Sequence, residues 1–86
     1  MHRTTSRFWK CFEKLPFHIR RIAEGNFSLL KENPRHPSLH FKRVGKLWSV
    51  RVGLSYRALA VEDGTDFIWM WIGTHDEYER MIIQMG

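Results

Sequence analysis

Apolar and polar residues alternate with a helical period in the first third of the chain. Hydrophobic positions recur there about every 3.6 residues, the spacing of one face of an amphipathic helix. Pro16 interrupts the pattern and suits the first turn of a second helix. We therefore predict one helix that Thr5 or Ser6 caps and that runs to about Lys14, and a second helix that ends at Asn33-Pro34. Two helices joined so closely should form a helical hairpin.

The middle of the chain alternates apolar and polar residues with a period of about two, as strands with one buried face do. The last predicted strand is apolar on both faces from Phe67 to Ile72, so we expect it to be an inner strand of the sheet. Residues 2–4 could add a short extra strand. Turn residues, several of them glycines, separate four predicted strands, which comprise residues 38–44, 47–52, 56–62 and 65–72.

The helical period returns at the end of the chain, in a charged segment that begins near His75 and has an apolar face containing Tyr78, Met81 and Ile82. The order of elements predicts an α+β fold, in which an N-terminal helical hairpin packs on a mostly antiparallel β-meander sheet and a C-terminal helix follows. A chain of 86 residues is too short for two hydrophobic cores, so we expect a single domain over residues 1–86.

Positive charge is concentrated in one block of the sequence. The formal net charge is +5, and residues 33–61 contain six Lys and Arg but no Asp or Glu. The remainder of the chain is close to neutral. A basic surface of this kind is typical of proteins that bind a polyanion such as nucleic acid.

Several classes of protein are excluded by what the sequence lacks. It has no apolar run of the roughly 20 residues that a membrane helix needs and no signal-peptide pattern. The lone Cys11 allows no internal disulfide, which fits the cytoplasm. His36 and His40 have a zinc-like spacing, but Pro37 intervenes and no third ligand is near in sequence. We therefore expect no metal, no cofactor and no membrane partner.

Two arginines in neighbouring strands are the first candidates for chemistry. If the loop between these strands has three residues, Arg51 lies directly opposite Arg57, an arrangement that is unfavourable unless an anion such as phosphate lies between them. A two-residue loop would instead pair Arg51 with Tyr56. The alternative is that the two arginines bind no ligand. Their side chains would then extend from the sheet into solvent or pair with acids of the last helix.

A histidine follows the last predicted strand. His75 lies near the start of the C-terminal helix, where Thr74 or His75 itself would cap and where Asp76 and Glu77 suit the helix dipole. An imidazole at the end of a sheet that carries two arginines could transfer protons near neutral pH. A capping or surface role is the alternative for this histidine, and packing is the simplest role for Tyr78.

Four stretches of the chain resemble the RelE/ParE superfamily of toxins from bacterial toxin–antitoxin pairs. They are residues 33–39 (Asn-Pro-Arg-His-Pro-Ser-Leu), 48–53 (Trp-Ser-Val-Arg-Val-Gly), 56–59 (Tyr-Arg-Ala-Leu) and 69–78 (Trp-Met-Trp-Ile-Gly-Thr-His-Asp-Glu-Tyr). The resemblance covers nearly the whole chain, and the predicted order of elements agrees with the fold of that superfamily. It implies a toxin that cleaves messenger RNA on the ribosome without a metal. Other members poison DNA gyrase, and an inactive relative would only bind its antitoxin.

The resemblance also implies roles for individual residues. Arg57 would contact the scissile phosphate, Arg51 would be a second phosphate contact, and His75 would act as acid or base. The pattern departs from the superfamily at Asp76-Glu77, where some relatives are basic. The candidate catalytic residues are therefore Arg51, Arg57, His75 and Tyr78, and the candidate RNA-binding residues are His36, His40, Lys42, Arg43 and Lys46.

The partners that the resemblance implies are a small antitoxin, the ribosome and its message, and operator DNA reached through the antitoxin. The antitoxin would cover the basic face with a helix or a strand. The expected location is the cytoplasm.

Overall fold

Helices, a 3₁₀ turn and strands follow one another along residues 1–85, the part of the chain that the computed structural model describes. Within this range, every helix is too short or too polar to span a bilayer. The elements are β1 (His2–Thr4), α1 (Ser6–Glu13), α2 (Phe17–Glu32), the 3₁₀ turn (Pro37–Leu39), β2 (Lys42–Val44), β3 (Leu47–Val52), β4 (Tyr56–Asp63), β5 (Asp66–Thr74) and α3 (His75–Met85).

The five strands form one sheet in the order β1-β5-β4-β3-β2. Strands β2 to β5 make an antiparallel meander, and β1 adds in parallel to the outer side of β5. The predicted α+β fold is confirmed, because a helical hairpin, a mostly antiparallel sheet and a C-terminal helix follow in that order. The extra strand at residues 2–4 is present, and the apolar strand β5 is an inner strand as expected.

The sheet has two differently covered faces. On the hairpin face, which packs against α1 and α2, Val50, Val52, Ala58 and Ala60 are buried. On the opposite face, which we call the α3 face, a smaller cluster contains Leu47, Leu59, Trp71 and Tyr78. Strand alternation requires that the residues between the hairpin-face positions lie on the α3 face, and these include both candidate arginines.

A β-bulge in the inner strand separates two tryptophans. Leu59 pairs with Trp71 and the next residue, Ala60, pairs with Trp69, so Met70 is the extra residue of the bulge. Trp69 is therefore buried in the hairpin-face cluster and Trp71 in the α3-face cluster. Both tryptophans pack in the core, on opposite sides of the sheet.

The predicted strand over residues 38–44 is wrong in its first half. Pro37–Leu39 form a 3₁₀ turn whose first amide is capped by His36, because Nδ1 of His36 accepts a hydrogen bond from the Ser38 amide at 3.2 Å. His40 then adopts a left-handed conformation with φ 45°, which ends the turn, and pairing with β3 begins at Lys42. Leu39 is fully buried, so its apolar character reflects a turn packed on the core rather than a strand.

A histidine in β1 is part of an aromatic cluster. The ring of His2 stacks on Phe67 at 5.5 Å between centroids and lies edge-on to Phe27, and Nδ1 of His2 accepts a hydrogen bond from the Trp69 indole at 3.0 Å. Burial lowers the pKa of His2 from its usual 6.5, and the nearby charge of Lys31 adds to this effect. The folded chain therefore favours the neutral form of this ring.

We expect His2 to make the free energy of unfolding depend on pH. Because its pKa is lowered in the folded state, the stabilisation is fully present above 6.5 and is lost as pH falls through the lowered value. Urea unfolding at about pH 7.5 and about pH 5 should show a smaller loss of stability in His2→Gln, which cannot ionise, than in the wild type. The exposed His18 is the matched control, so His18→Gln should keep the wild-type dependence. Equal pH dependence in wild type and His2→Gln would contradict this account.

Candidate active site

The loop between β3 and β4 fixes the relative position of the two arginines. It consists of the three residues Gly53, Leu54 and Ser55, and Gly53 has a positive φ of 62°, which glycine adopts without strain. Arg51 consequently pairs with Arg57, and Val52 pairs with Tyr56. The three-residue alternative of the sequence prediction is thus confirmed, and the pairing of Arg51 with Tyr56 does not occur.

Among residues 1–85, no carboxylate lies within ion-pair distance of either guanidinium group, although the more distant charge of Glu79 raises the pKa of Arg57 slightly. Within residues 1–85, neither Arg51 nor Arg57 forms an ion pair, so the pairing with acids of the last helix is not observed. Arg57 donates to the Tyr56 carbonyl at 2.8 Å. Burial lowers the pKa of Arg57, and the positive charge of Arg51 lowers it further. An anion bound between the two side chains would relieve this repulsion.

Arg57 and His75 line the same open cleft. The cleft lies where β4 begins, β5 ends and α3 starts, and its polar lining belongs to both strands and to the first turn of α3. The amide of His75 donates to the Ser55 carbonyl at 2.7 Å, which fixes the start of α3 against the β3–β4 loop. The lining residues are Leu54, Ser55, Tyr56, Arg57, Thr74, His75 and Asp76.

His75 contacts two residues of its own helix. Its Nε2 lies 3.3 Å from a carboxylate oxygen of Glu79, one turn further along α3. Its ring centroid is 5.8 Å from that of Tyr78. Tyr78 is buried in the α3-face cluster and is not among the residues that line the cleft. Its position fits a residue that packs beside His75 and supports it.

Thr74 and Glu77 form a capping box at the start of α3. The Glu77 amide donates to the Thr74 hydroxyl at 3.2 Å, and a Glu77 carboxylate oxygen accepts from the Thr74 amide at 3.0 Å and from its hydroxyl at 2.9 Å. These hydrogen bonds lower the pKa of Glu77. Of the two first-turn acids, Glu77 is therefore engaged in the helix cap, and Asp76 lines the cleft.

The candidate RNA-binding residues are divided between the two faces. Lys42 pairs with Ser49 and so lies on the α3 face with the arginines, whereas Arg43 pairs with Trp48 and lies on the opposite face. Lys46 is exposed in the turn after β2. His36 caps the 3₁₀ turn, and Nε2 of His40 lies 3.3 Å from Nη1 of Arg51. The structure therefore brings His40, Lys42, Arg51 and Arg57 to one face and places Arg43 on the other.

Sequence reasoning missed three residues of this region. Ser55 holds the start of α3, Asn26 donates from α2 to the Arg51 carbonyl at 3.0 Å, and Glu79 contacts His75. The spacing of His75 and Glu79, four residues apart on a helix, could have indicated their contact. Nothing in the sequence pattern indicates the other two, which depend on tertiary packing. In the described part of the chain, no three His, Cys, Asp or Glu side chains come together as metal ligands would.

Comparison with known proteins identifies the family. A family model described as a ParE-like toxin domain matches residues 17–80. No curated protein sequence matches the chain. Among solved structures, a chain of the RelB–RelE antitoxin–toxin complex of Methanococcus jannaschii is similar with a TM-score of 0.69 and 20% identity, covering 92% of this chain and 96% of that one.

Two further solved structures agree with this likeness. A chain of the RelBE2 toxin–antitoxin complex of Mycobacterium tuberculosis has a TM-score of 0.63 and 24% identity, covering 87% of this chain and 96% of that one. The YafQ structure from Escherichia coli has a TM-score of 0.68 and 12% identity, covering 91% and 96%. The fold is thus that of RelE-type toxins. Because the family model matches most of its length, the chain belongs to the ParE-like toxin domains and is a toxin of the RelE/ParE superfamily.

We expect the capping box to stabilise the start of α3, where His75 stands. Thr74→Ala removes the cap and should lower the free energy of unfolding by about 1 kcal/mol, whereas Thr74→Ser keeps the hydroxyl and should lose little. Because the pKa of Glu77 is lowered from 4.5, its stabilisation is present above that value and is lost as pH falls. The difference between wild type and Thr74→Ala should therefore shrink in acid. Urea unfolding at neutral and acidic pH measures both effects, and a difference independent of pH would argue against the role of Glu77.

Proposed function

We propose that this toxin is a metal-independent endoribonuclease that cleaves messenger RNA on the ribosome and so inhibits translation. The observation that carries the proposal is the shared cleft, because an arginine and a histidine line it together and a second arginine lies in register beside the first. Arginine binds phosphate, and histidine transfers protons near neutral pH. Cleavage of a phosphodiester uses both functions, since charge develops on the phosphoryl oxygens and protons move to and from the reacting oxygens.

The proposed reaction uses a hydroxyl group of the RNA itself. The 2′-hydroxyl attacks the adjacent phosphorus, a base takes the 2′ proton, and the bond to the 5′-oxygen breaks as an acid protonates that oxygen. Arg57 stabilises the negative charge that develops on the phosphoryl oxygens, with Arg51 as the second contact. His75 is assigned the proton for the leaving 5′-oxygen. Asp76 lines the same cleft and is the candidate for the base.

The small number of reactive groups favours a ribosome-dependent activity. An 86-residue chain with an open cleft offers little surface with which to align the 2′-hydroxyl with the leaving oxygen. A ribosome that already holds the message in its decoding site would supply this alignment. The basic residues of the α3 face, Lys42 among them, would bind the RNA backbone.

A cognate antitoxin is the proposed protein partner. The solved structures of similar fold include RelB–RelE and RelBE2 complexes, in which a toxin is bound to its antitoxin. In this toxin the partner would neutralise the basic α3 face and close the cleft. The proposed place of action is the cytoplasm, where ribosomes and message are found.

A gyrase poison is the second candidate function. The observation that favours it is the family model, which is described as ParE-like, and the resemblance drawn from the sequence includes gyrase poisons. Such a toxin would cause DNA breaks in cells and leave messages intact. An inactive relative that only binds its antitoxin would do neither.

We expect loss of cleavage when either cleft residue is removed. Primer extension on a defined message with translating ribosomes should show new 5′ ends inside ribosome-occupied codons with the wild type. Arg57→Ala and His75→Ala should each lower the cleavage rate by at least about 100-fold, since a general acid or an electrostatic contact contributes that much. Arg43→Gln is the control on the opposite face and should cleave normally. If the message stays intact with all four proteins, the endoribonuclease proposal is wrong and gyrase becomes the candidate target.

We also expect adjacent cations to differ in RNA binding. Lys42 shares the α3 face with the arginines and Arg43 does not, although they are neighbours in sequence. Lys42→Gln should therefore reduce the salt dependence of binding to single-stranded RNA, by about 0.7 in the slope of log K against log salt. Arg43→Gln should leave the slope unchanged. Fluorescence anisotropy with a labelled oligonucleotide measures the slopes, and equal changes in the two variants would contradict the proposed face.

A further inference from the structure

The backbone of His40 is left-handed where it ends the 3₁₀ turn, and its amide donates to the Pro37 carbonyl at 3.3 Å. Among residues 1–85 it is the only non-glycine residue with a positive φ, at 45° with ψ 44°. Residues with a Cβ atom adopt this left-handed region at a cost in energy, and glycine is usual at the end of a helical turn. The side chain is exposed, so burial in the core does not explain why a histidine stands here.

A contact between the His40 ring and Arg51 explains why a histidine stands at this position. Nε2 of His40 lies 3.3 Å from Nη1 of Arg51. A guanidinium group only donates hydrogen bonds, so Nε2 must be the acceptor. A hydrogen bond at this contact requires a neutral ring with its proton on Nδ1. A protonated ring could not make this contact, because both of its nitrogens would be donors.

The contact completes a set of restraints on Arg51. Its carbonyl accepts from Asn26 at 3.0 Å, which fixes the backbone against α2, and its side chain is held at Nη1 by His40. Its Nε is buried and has no hydrogen-bond partner in the described structure. No carboxylate of residues 1–85 forms an ion pair with it. Arg51 is thus held in place while its charge remains available beside Arg57.

A neutral acceptor leaves the charge of an arginine intact, whereas a carboxylate, the usual partner of an arginine, does not. A carboxylate would orient the guanidinium group but would also neutralise it and compete with an incoming phosphate. A neutral imidazole orients the group and leaves the positive charge intact. We propose that His40 is a positioning residue, whose neutral ring orients Arg51 for a phosphate of the bound RNA without neutralising it. The inference rests on the proposed function insofar as the ligand is RNA phosphate.

The positioning contact is testable without RNA. At about pH 8, where histidine is neutral, ¹⁵N NMR distinguishes the two ring nitrogens. In the wild type we expect Nε2 of His40 to be the unprotonated nitrogen and Nδ1 to carry the proton. Arg51→Met removes the donor and should allow the two tautomers to interchange, which brings the two nitrogen shifts together. Identical shifts in wild type and Arg51→Met would overturn the proposal.

The functional consequence is testable with a non-cleavable probe, a short single-stranded RNA that is 2′-O-methylated throughout. His40→Gly removes the ring and relieves the left-handed backbone, so its melting temperature should equal or exceed that of the wild type. Its dissociation constant should rise roughly three- to tenfold, as for the loss of one hydrogen bond to a charged group. His40→Gln restores an acceptor and should bind within about twofold of the wild type.

The two measurements separate the failure of this inference from failure of the proposed function. Unchanged RNA binding by His40→Gly, with wild-type binding intact, would overturn the positioning role. A merely structural role predicts a lower melting temperature and no rescue by glutamine. If the wild type binds no RNA, the proposed function fails, and the NMR comparison alone then decides whether His40 positions Arg51.

Discussion

The register between β3 and β4 is the constraint on which both the core and the candidate site depend. Val50, Val52 and Ala58 are buried against the helical hairpin, and strand alternation then sends Arg51 and Arg57 to the opposite face. A slip of one residue in either strand would turn its arginine toward the core, where an unpaired charge is strongly unfavourable. The hydrophobic core therefore fixes the opposition of the two arginines, although neither is part of it.

The start of α3 brings the histidine to this pair. Three groups determine where the helix begins: the Thr74–Glu77 capping box, the Ser55 carbonyl that accepts from the His75 amide, and the buried ring of Tyr78. The capping box joins α3 to the end of β5, Ser55 joins it to the loop before β4, and Tyr78 packs on the sheet, so all three fix α3 relative to the strand that carries Arg57. The reactive side chains thus stand on regular elements held by backbone hydrogen bonds, which gives more precise placement than a free loop would.

The sequence pattern predicts those parts of the structure that depend on local rules. Turn residues and period-two alternation give the meander, and the three-residue loop gives the arginine register as one of two stated alternatives. The bulge at Met70 could not be predicted, because the spacing of Trp69 and Trp71 alone places both on one face of a regular strand. The 3₁₀ turn before β2 has the apolar–polar alternation of a strand in the sequence, because the buried Leu39 fits that pattern. The contact of His40 with Arg51 joins a turn to a strand and has no signature in the pattern.

The fold by itself leaves open the choice between cleavage of RNA and poisoning of gyrase, since the similar solved structures share at most about a quarter of their residues with this chain. The residues that line the cleft are relevant to the choice between these two functions. A toxin that only binds its target needs charge and shape, and two arginines supply the charge. It has no need of an imidazole at the start of a helix that lines a cleft together with an arginine. His75, which lines the cleft with Arg57, is therefore the residue that the proposed reaction would use and that a toxin acting by charge alone would not need.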